Sequence, residues 1–207
     1  ESALGMVDTS SIAASMPELS FAQRLNRAVS KEHVGQSDEA ARELRDLFAT
    51  GLHSAVVAYN IGNILARNGS YDEATDWFER ALPDESCRVD ALANLVFTVA
   101  AIGRYDAAIR YGQECLANAP DNVTCLLNLG FAYGSQGRDR AALEWFDRAV
   151  FRTPQNPDAH CARAVALSRL GRVDEARKAV DVAKGIAPAS PRVRALIIEL
   201  EGGNGIA

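Results

Sequence analysis

A single pattern recurs along most of this 207-residue chain at a spacing of 34 residues, and a period of that size leaves few folds open. In the window 123–156, Leu129 and Gly130 hold positions 7 and 8, Tyr133 position 11 and Gly137 position 15. Ala142, Phe146, Ala149 and Pro154 follow at positions 20, 24, 27 and 32. The window 157–190 repeats this with Leu167, Gly171, Ala176, Val180, Ala183 and Pro188. The window 89–122 shows Leu95, Gly103, Tyr105, Ala108 and Pro120, and the window 55–88 shows Ile61, Gly62, Leu65, Gly69, Tyr71, Ala74, Phe78 and Ala81. The window 21–54 is fainter but keeps Ala28, Gly35, Ala40 and Leu44. Five windows tile residues 21–190 without insertion. Each is one helix-turn-helix unit, and stacked units form an all-α solenoid with one long concave face and no closed catalytic pocket by default.

The residue types fit the geometry. Positions 8 and 20 are where the two helices of a unit approach most closely, which needs small side chains such as Gly62 and Gly130 against Ala74 and Ala142. A large apolar group at position 24, Phe78 or Phe146, fills the space beside that contact. Gly35, Gly69, Gly103, Gly137 and Gly171 all fall at position 15, where a left-handed glycine ends the first helix. Ser70 with Glu73 reads as a capping box, and Asn156–Pro157 and Ser190–Pro191 read as an N-cap followed by proline at the first helical position. In the window 89–122, Val96 replaces the small residue at position 8 and Gly112 the aromatic at position 24. That unit is expected to be the least stable, with its helices pushed apart.

The chain resembles the tetratricopeptide repeat (TPR) family on these residues, over about four fifths of its length. The resemblance implies a right-handed α-solenoid of five units, 21–54, 55–88, 89–122, 123–156 and 157–190. Residues 191–201 are expected to form a capping helix, with Val193, Leu196, Ile197 and Leu200 on one face. Residues 1–20 fit no unit and read as a flexible leader, and the glycine-rich residues 202–207 as a frayed tail.

Composition narrows the function. Net charge is −5 and no lysine or arginine run exists, so nucleic acid is not the expected partner. No apolar run approaches the roughly 20 residues a spanning helix needs, so no membrane insertion is expected. The chain begins at Glu1 rather than methionine, which fits a fragment or a processed form. Basic residues are mostly arginine, a compositional hint of a GC-rich bacterial genome. Cys87, Cys115, Cys125 and Cys161 form no Cys-x-x-Cys pair, and no metal site is expected. They read as buried thiols in a reducing, cytoplasmic setting, or, in an exported periplasmic protein, as including a Cys115–Cys125 disulfide. His33, His53 and His160 are isolated and read as surface or helix-end residues. No Ser/His/Asp constellation or phosphate-binding glycine loop is present, so no catalytic residue and no cofactor is expected.

In the TPR family the first helix of each unit lines the concave face. Position 6 on that helix reads Asn26, Asn60, Asn94 and Asn128, each 34 residues after the last, and the series stops at Ala162. An asparagine side chain offers two donors and an acceptor, so such a row can bond the backbone of an extended peptide. Asparagine at position 6 is also common in the family, without that role. Tyr59 at position 5, and Asn63, Phe97 and Phe131 at position 9, surround the row, with Val29 and Val165 extending an apolar strip. Phe97 and Phe131 either open side-chain pockets or turn toward the next helix and join the core. The family's clamp for chaperone tails is absent, because position 5 reads Leu25, Tyr59, Ala93, Leu127 and Cys161 instead of lysine. The expected function is a non-enzymatic scaffold or adaptor that binds an extended segment or a helix of another protein. Alternatives are the substrate-recognition arm of a larger enzyme, such as a protein glycosyltransferase, and an exported pilus or envelope assembly factor. An uncapped first unit also leaves an end on which a second copy could stack.

Overall fold

The computed structural model describes residues 19–202. Most of the expected leader and residues 203–207 of the tail lie outside the described residues. Eleven helices fill the described chain: α1 Phe21–His33, α2 Ser37–Phe48, α3 Ser54–Arg67, α4 Tyr71–Ala81, α5 Glu85–Ala101, α6 Tyr105–Asn118, α7 Val123–Ser135, α8 Asp139–Arg152, α9 Pro157–Arg169, α10 Val173–Ile186 and α11 Pro191–Gly202. Each odd helix from α1 to α9 pairs with the even helix that follows it, and each hairpin then packs on the next. The result is an all-α solenoid with α11 lying against α10 and α9 at one end.

The turns follow the local chemistry. Gly35, Gly69, Gly103, Gly137 and Gly171 all take positive φ, between 72° and 83°, and close the first helix of each hairpin. Asn156 Oδ1 accepts from the backbone N–H groups of Asp158 and Ala159 ahead of α9, with Pro157 in its first turn. Ser70 makes no such bond ahead of α4, contrary to the capping box read from Ser70 and Glu73. The reciprocal box belongs instead to Ser20 and Gln23, where the Ser20 hydroxyl accepts from Gln23 N–H and the Gln23 side chain accepts from Ser20 N–H. One boundary moves by about a turn. Pro83 stands three residues earlier in its window than Pro120, Pro154 and Pro188 do in theirs. Proline cannot continue a helix, so α4 stops at Ala81. Asp84 then caps an early start, accepting from Ser86 N–H at 2.8 Å, and α5 runs for 17 residues.

Between the helices of a hairpin the packing is a match of sizes. A Cβ added to Gly62 would lie 2.7 Å from the Phe78 ring, and one added to Gly130 would meet Phe146. The glycine at position 8 therefore makes room for the ring at position 24 rather than for the alanine at position 20. The remaining hairpins pair Ala28 with Leu44 and Ala164 with Val180, all of them buried. In the third hairpin the order is inverted: Val96 is fully buried, and the notch left by Gly112 is filled by Leu129 of α7. The place of the missing aromatic is thus taken from the neighbouring hairpin. Seated on Gly112, α7 lies along α5 in the most extensive contact between any two first helices.

Several polar groups inside find partners. Thr75 Oγ1 and Thr98 Oγ1 hydrogen-bond at 3.0 Å between α4 and α5, and Thr75 also donates to Tyr71 O. Of the two places read for it, surface or helix end, His160 takes the second: it is buried near the start of α9, and its Nε2 lies 2.8 Å from Pro154 O. The Tyr111 phenol donates to Glu79 Oε1 at 2.7 Å; burial, with that bond, pushes its pKa up to about 12. All four cysteines are buried free thiols. The Cys125 thiol donates to Gly112 O at 3.4 Å and the Cys115 thiol to Val89 O at 3.7 Å; the proximity of the two sulfurs holds Cys115 below the usual thiol range and, together with burial, pushes Cys125 above it.

Two measurements check this packing. Gly112→Ala should destabilise the chain by about 1–3 kcal/mol, because the new methyl group overlaps the Leu129 side chain. In a double-mutant cycle with Leu129→Ala the two changes should couple by about 1 kcal/mol in the rescuing direction, and strict additivity would mean the two residues do not share one space. Thiol titration should find four reactive groups after unfolding in non-reducing denaturant and essentially none before it. Two thiols in the unfolded chain would show a disulfide instead.

Candidate functional site

Position 9 of successive first helices carries Val29, Asn63, Phe97, Phe131 and Val165, and these residues mark one face of the stack. Two clefts open on it. The first lies between α1 and α3 and is lined by Val29, Glu32, His33, Leu44, Asn60, Asn63, Ile64 and Arg67. The second lies between α7 and α9, and its walls include Phe131, Asp139, Phe146, Ala162, Val165 and Arg169. The two are repeat equivalents, since Asn60, Asn63 and Arg67 of the first correspond to Ala162, Val165 and Arg169 of the second, three units later. At two of these equivalent places the first cleft therefore carries amides and the second apolar groups. Between them α7 lies down along α5.

Each cleft ends in a carboxylate beside an arginine of the next first helix. Arg67 Nη1 lies 3.4 Å from Glu32 Oε1, and Arg169 Nη1 lies 3.6 Å from Asp139 Oδ1. Glu32 Oε2 and Asp139 Oδ1 are buried and receive no hydrogen bond from any described residue. The Glu32 side chain is only 10% exposed. Buried polar atoms are nearly always paired, and these two oxygens are exceptions, each on a carboxylate beside an arginine.

The residues singled out in the sequence are not placed alike. Asn94 Nδ2 donates to Asn63 Oδ1 at 2.9 Å, and Asn128 Nδ2 donates to Ala93 O at 2.7 Å. Both bonds tie a first helix to the one before it. Asn60 Nδ2 donates to Val56 O in its own helix at 2.8 Å, and Asn60 and Asn63 line the first cleft. Asn26 is exposed on α1 and lines neither cleft. Tyr59 is half-buried against the core, its ring centroid 5.9 Å from that of Phe78. Phe97 is 42% exposed and meets Tyr71 edge-on at 5.5 Å. Phe131 is 36% exposed, lies against Phe146 at 5.4 Å, and has the Arg192 guanidinium of α11 over its ring at 5.5 Å. Both phenylalanines thus keep an open edge while resting on an aromatic of a second helix. Sequence reasoning missed Glu32, Arg67, Asp139 and Arg169. The available signal was arginine recurring at position 13 in the two units that form the clefts.

A stack of helical hairpins with an open, cleft-bearing face is an α-solenoid of the repeat class. Tetratricopeptide repeat profiles match residues 25–87, 100–164 and 157–181, and the chain belongs to the tetratricopeptide repeat family. No curated protein sequence matches it. Among solved structures it is similar to TTC0263, a thermophilic TPR protein of Thermus thermophilus, at 16% identity over 89% of this chain and 100% of that one, with a TM-score of 0.77. It is also similar to PilW, described as a widely conserved type IV pilus biogenesis factor, at 20% identity over 86% of this chain and 82% of that one, with a TM-score of 0.75. A third is YrrB, described as a TPR protein with an unusual peptide-binding site, at 20% identity over 90% and 95% of the two chains and a TM-score of 0.60. At these identities the likeness is one of fold. No helix among the described residues is long and apolar enough to cross a membrane.

The tying bonds change what asparagine substitutions should do. Asn94→Ala and Asn128→Ala should each lower stability by about 1 kcal/mol in denaturant unfolding, the usual net worth of one such bond. Asn26→Ala should be neutral. Unaltered midpoints for both tying variants would place those amides in solvent rather than between helices.

Proposed function

We propose that this chain is a non-enzymatic scaffold or adaptor that holds one extended segment of a partner protein along the face built by α1, α3, α5, α7 and α9. The observation that carries the reading is the pair of clefts on that face, with the open edges of Phe97 and Phe131 standing along the same row of residues. Large aromatics left exposed on a preformed surface supply apolar contact at little conformational cost, because their own positions are already fixed by packing. Backbone amides of an extended segment find acceptors and donors in the asparagine oxygens and second N–H groups that the tying bonds leave over. The peptide-binding site described for YrrB, a protein of the same fold, supports this use of the architecture. Four buried cysteines held as free thiols support a reducing, cytoplasmic setting over an oxidising one.

The test uses the whole chain as bait for a displayed library of random 12-residue peptides, with affinities measured by calorimetry. Peptides selected by the native chain should lose at least about tenfold in affinity against Phe97→Glu, Phe131→Glu, or both. Each charge is placed at a partly exposed position, so melting temperatures should stay within a few degrees of the native value. Selected peptides that bind the double variant unchanged would move the binding surface elsewhere on the molecule.

A further inference from the structure

We infer that the cleft between α7 and α9 is the anchor pocket of the face, and that it takes one large apolar side chain, such as leucine or methionine, from the partner segment. This rests on the groove reading above and adds where the segment is gripped and by which kind of side chain. The charges at the cleft are matched among themselves. Arg169 Nη1 donates to Gly134 O at 3.3 Å and lies 3.6 Å from Asp139 Oδ1, an oxygen that is itself buried. Arg192 Nη1 lies 3.4 Å from Asp158 Oδ1, while its guanidinium stands over the Phe131 ring. The cleft therefore holds out no unmatched charge, whereas the open edge of Phe131 and the half-buried Val165 and Gly134 offer carbon. An ion or amide entering would lose hydration without gaining a partner, and an apolar side chain leaves water favourably. Gly134 carries the argument further. Gly62, Gly112 and Gly130 each make room for a side chain of another helix that fills the place of their Cβ. At Gly134 no such side chain stands. A Cβ there would make ordinary contacts, at 3.7 Å to Ala142 Cβ and to Arg169 Nη1 and at 3.9 Å to Asp139 Oδ1, and those three residues all line the cleft. Glycine weakens a helix relative to alanine, and here it leaves space that the fold's own packing does not fill. In the equivalent cleft between α1 and α3 the places of Gly134 and Val165 hold Glu32 and Asn63. A long side chain stands there where the second cleft has none, and an amide where it has valine, so the first cleft does not share the preference.

The same displayed library tests this. Peptides that bind the native chain should share a large apolar residue at one fixed position, and its replacement by alanine should weaken binding about tenfold or more. Two protein variants then locate that residue. Gly134→Ala puts a methyl group among the residues of the cleft without a clash, and should leave the melting temperature unchanged or raise it. Val165→Asn copies the first cleft. Each variant should weaken the selected peptide at least about fivefold, while the alanine-substituted peptide should bind variant and native chain within about twofold of each other. The peptide-side substitution needs no change to the protein, and Gly134→Ala favours the helix, so the result stands even where Val165→Asn folds poorly. Selected peptides that depend on Phe97 and Phe131 but share no apolar position overturn this inference and leave the groove reading intact. An apolar position whose loss weakens binding as much in Gly134→Ala as in the native chain also overturns it, because its pocket then lies elsewhere. So does a native dimer that Val165→Asn dissociates in analytical ultracentrifugation, which would make a second copy the occupant. A native chain that selects no peptide at all removes both readings.

Discussion

The distance between the two helices of each hairpin is set where position 8 of the first meets position 24 of the second, and the sizes of those two side chains are not independent. Glycine at one stands against phenylalanine at the other in two hairpins, and alanine stands against leucine or valine in two more. Protein interiors pack at the density of organic crystals, so a helix pair held at a constant spacing can enlarge one partner only by shrinking the other. The third hairpin turns the pair round, with valine on the first helix and glycine on the second. Inversion leaves a notch on the outer side of the contact, and Leu129 reaches in from the following hairpin. A rule internal to each unit is thereby satisfied by a residue of the next one.

That exchange shapes the exposed face. With Leu129 seated on Gly112, α7 comes down along α5, and the Asn128 amide reaches the backbone carbonyl of Ala93. The face is drawn tight where α7 meets α5, while clefts open between α1 and α3 and between α7 and α9. What looks in sequence like one uninterrupted trough with an even row of amides is therefore a surface whose clefts differ. Where the first carries Asn60 and Asn63, the second carries Ala162 and Val165. Such asymmetry gives an otherwise repetitive surface a direction, since a segment that fits one end has no equivalent fit at the other.

The repeat itself was fully legible in the sequence. The period, the row of glycines with positive φ and the Asn156–Pro157 cap are local and steric in origin, and such signals survive in any tertiary context. The shifted boundary at Pro83 was also in plain view, but a fixed window hides a proline that moves by three residues. The fate of His160 and of Cys115 and Cys125 depended on which neighbours were brought to them, and a single chain carries no record of that. The candidate site was legible only as a face. Asn94 and Asn128 do lie where the window puts them, yet one bond from each goes to a neighbouring helix. Glu32 and Asp139 could not be found by periodicity, because they stand at positions 12 and 17 of different units. They become comparable only through the arginines that the next first helix brings beside them.

A tying bond does not withdraw an asparagine from recognition. The side chain has two N–H groups and an oxygen, and a single internal bond leaves two of these functions over while stopping the amide from rotating. An unrestrained asparagine on a helix surface must surrender its rotamer freedom when it binds, and that entropy is subtracted from the affinity. Asn63, held by Asn94, and Asn128, held by Ala93 O, have surrendered it already on folding. The same holds for Phe97 and Phe131, each steadied by an aromatic ring from a second helix. The bonds that stack the hairpins thus also hold the side chains of the proposed docking face, and a segment bound there as proposed would meet side chains whose ordering cost was met when the chain folded.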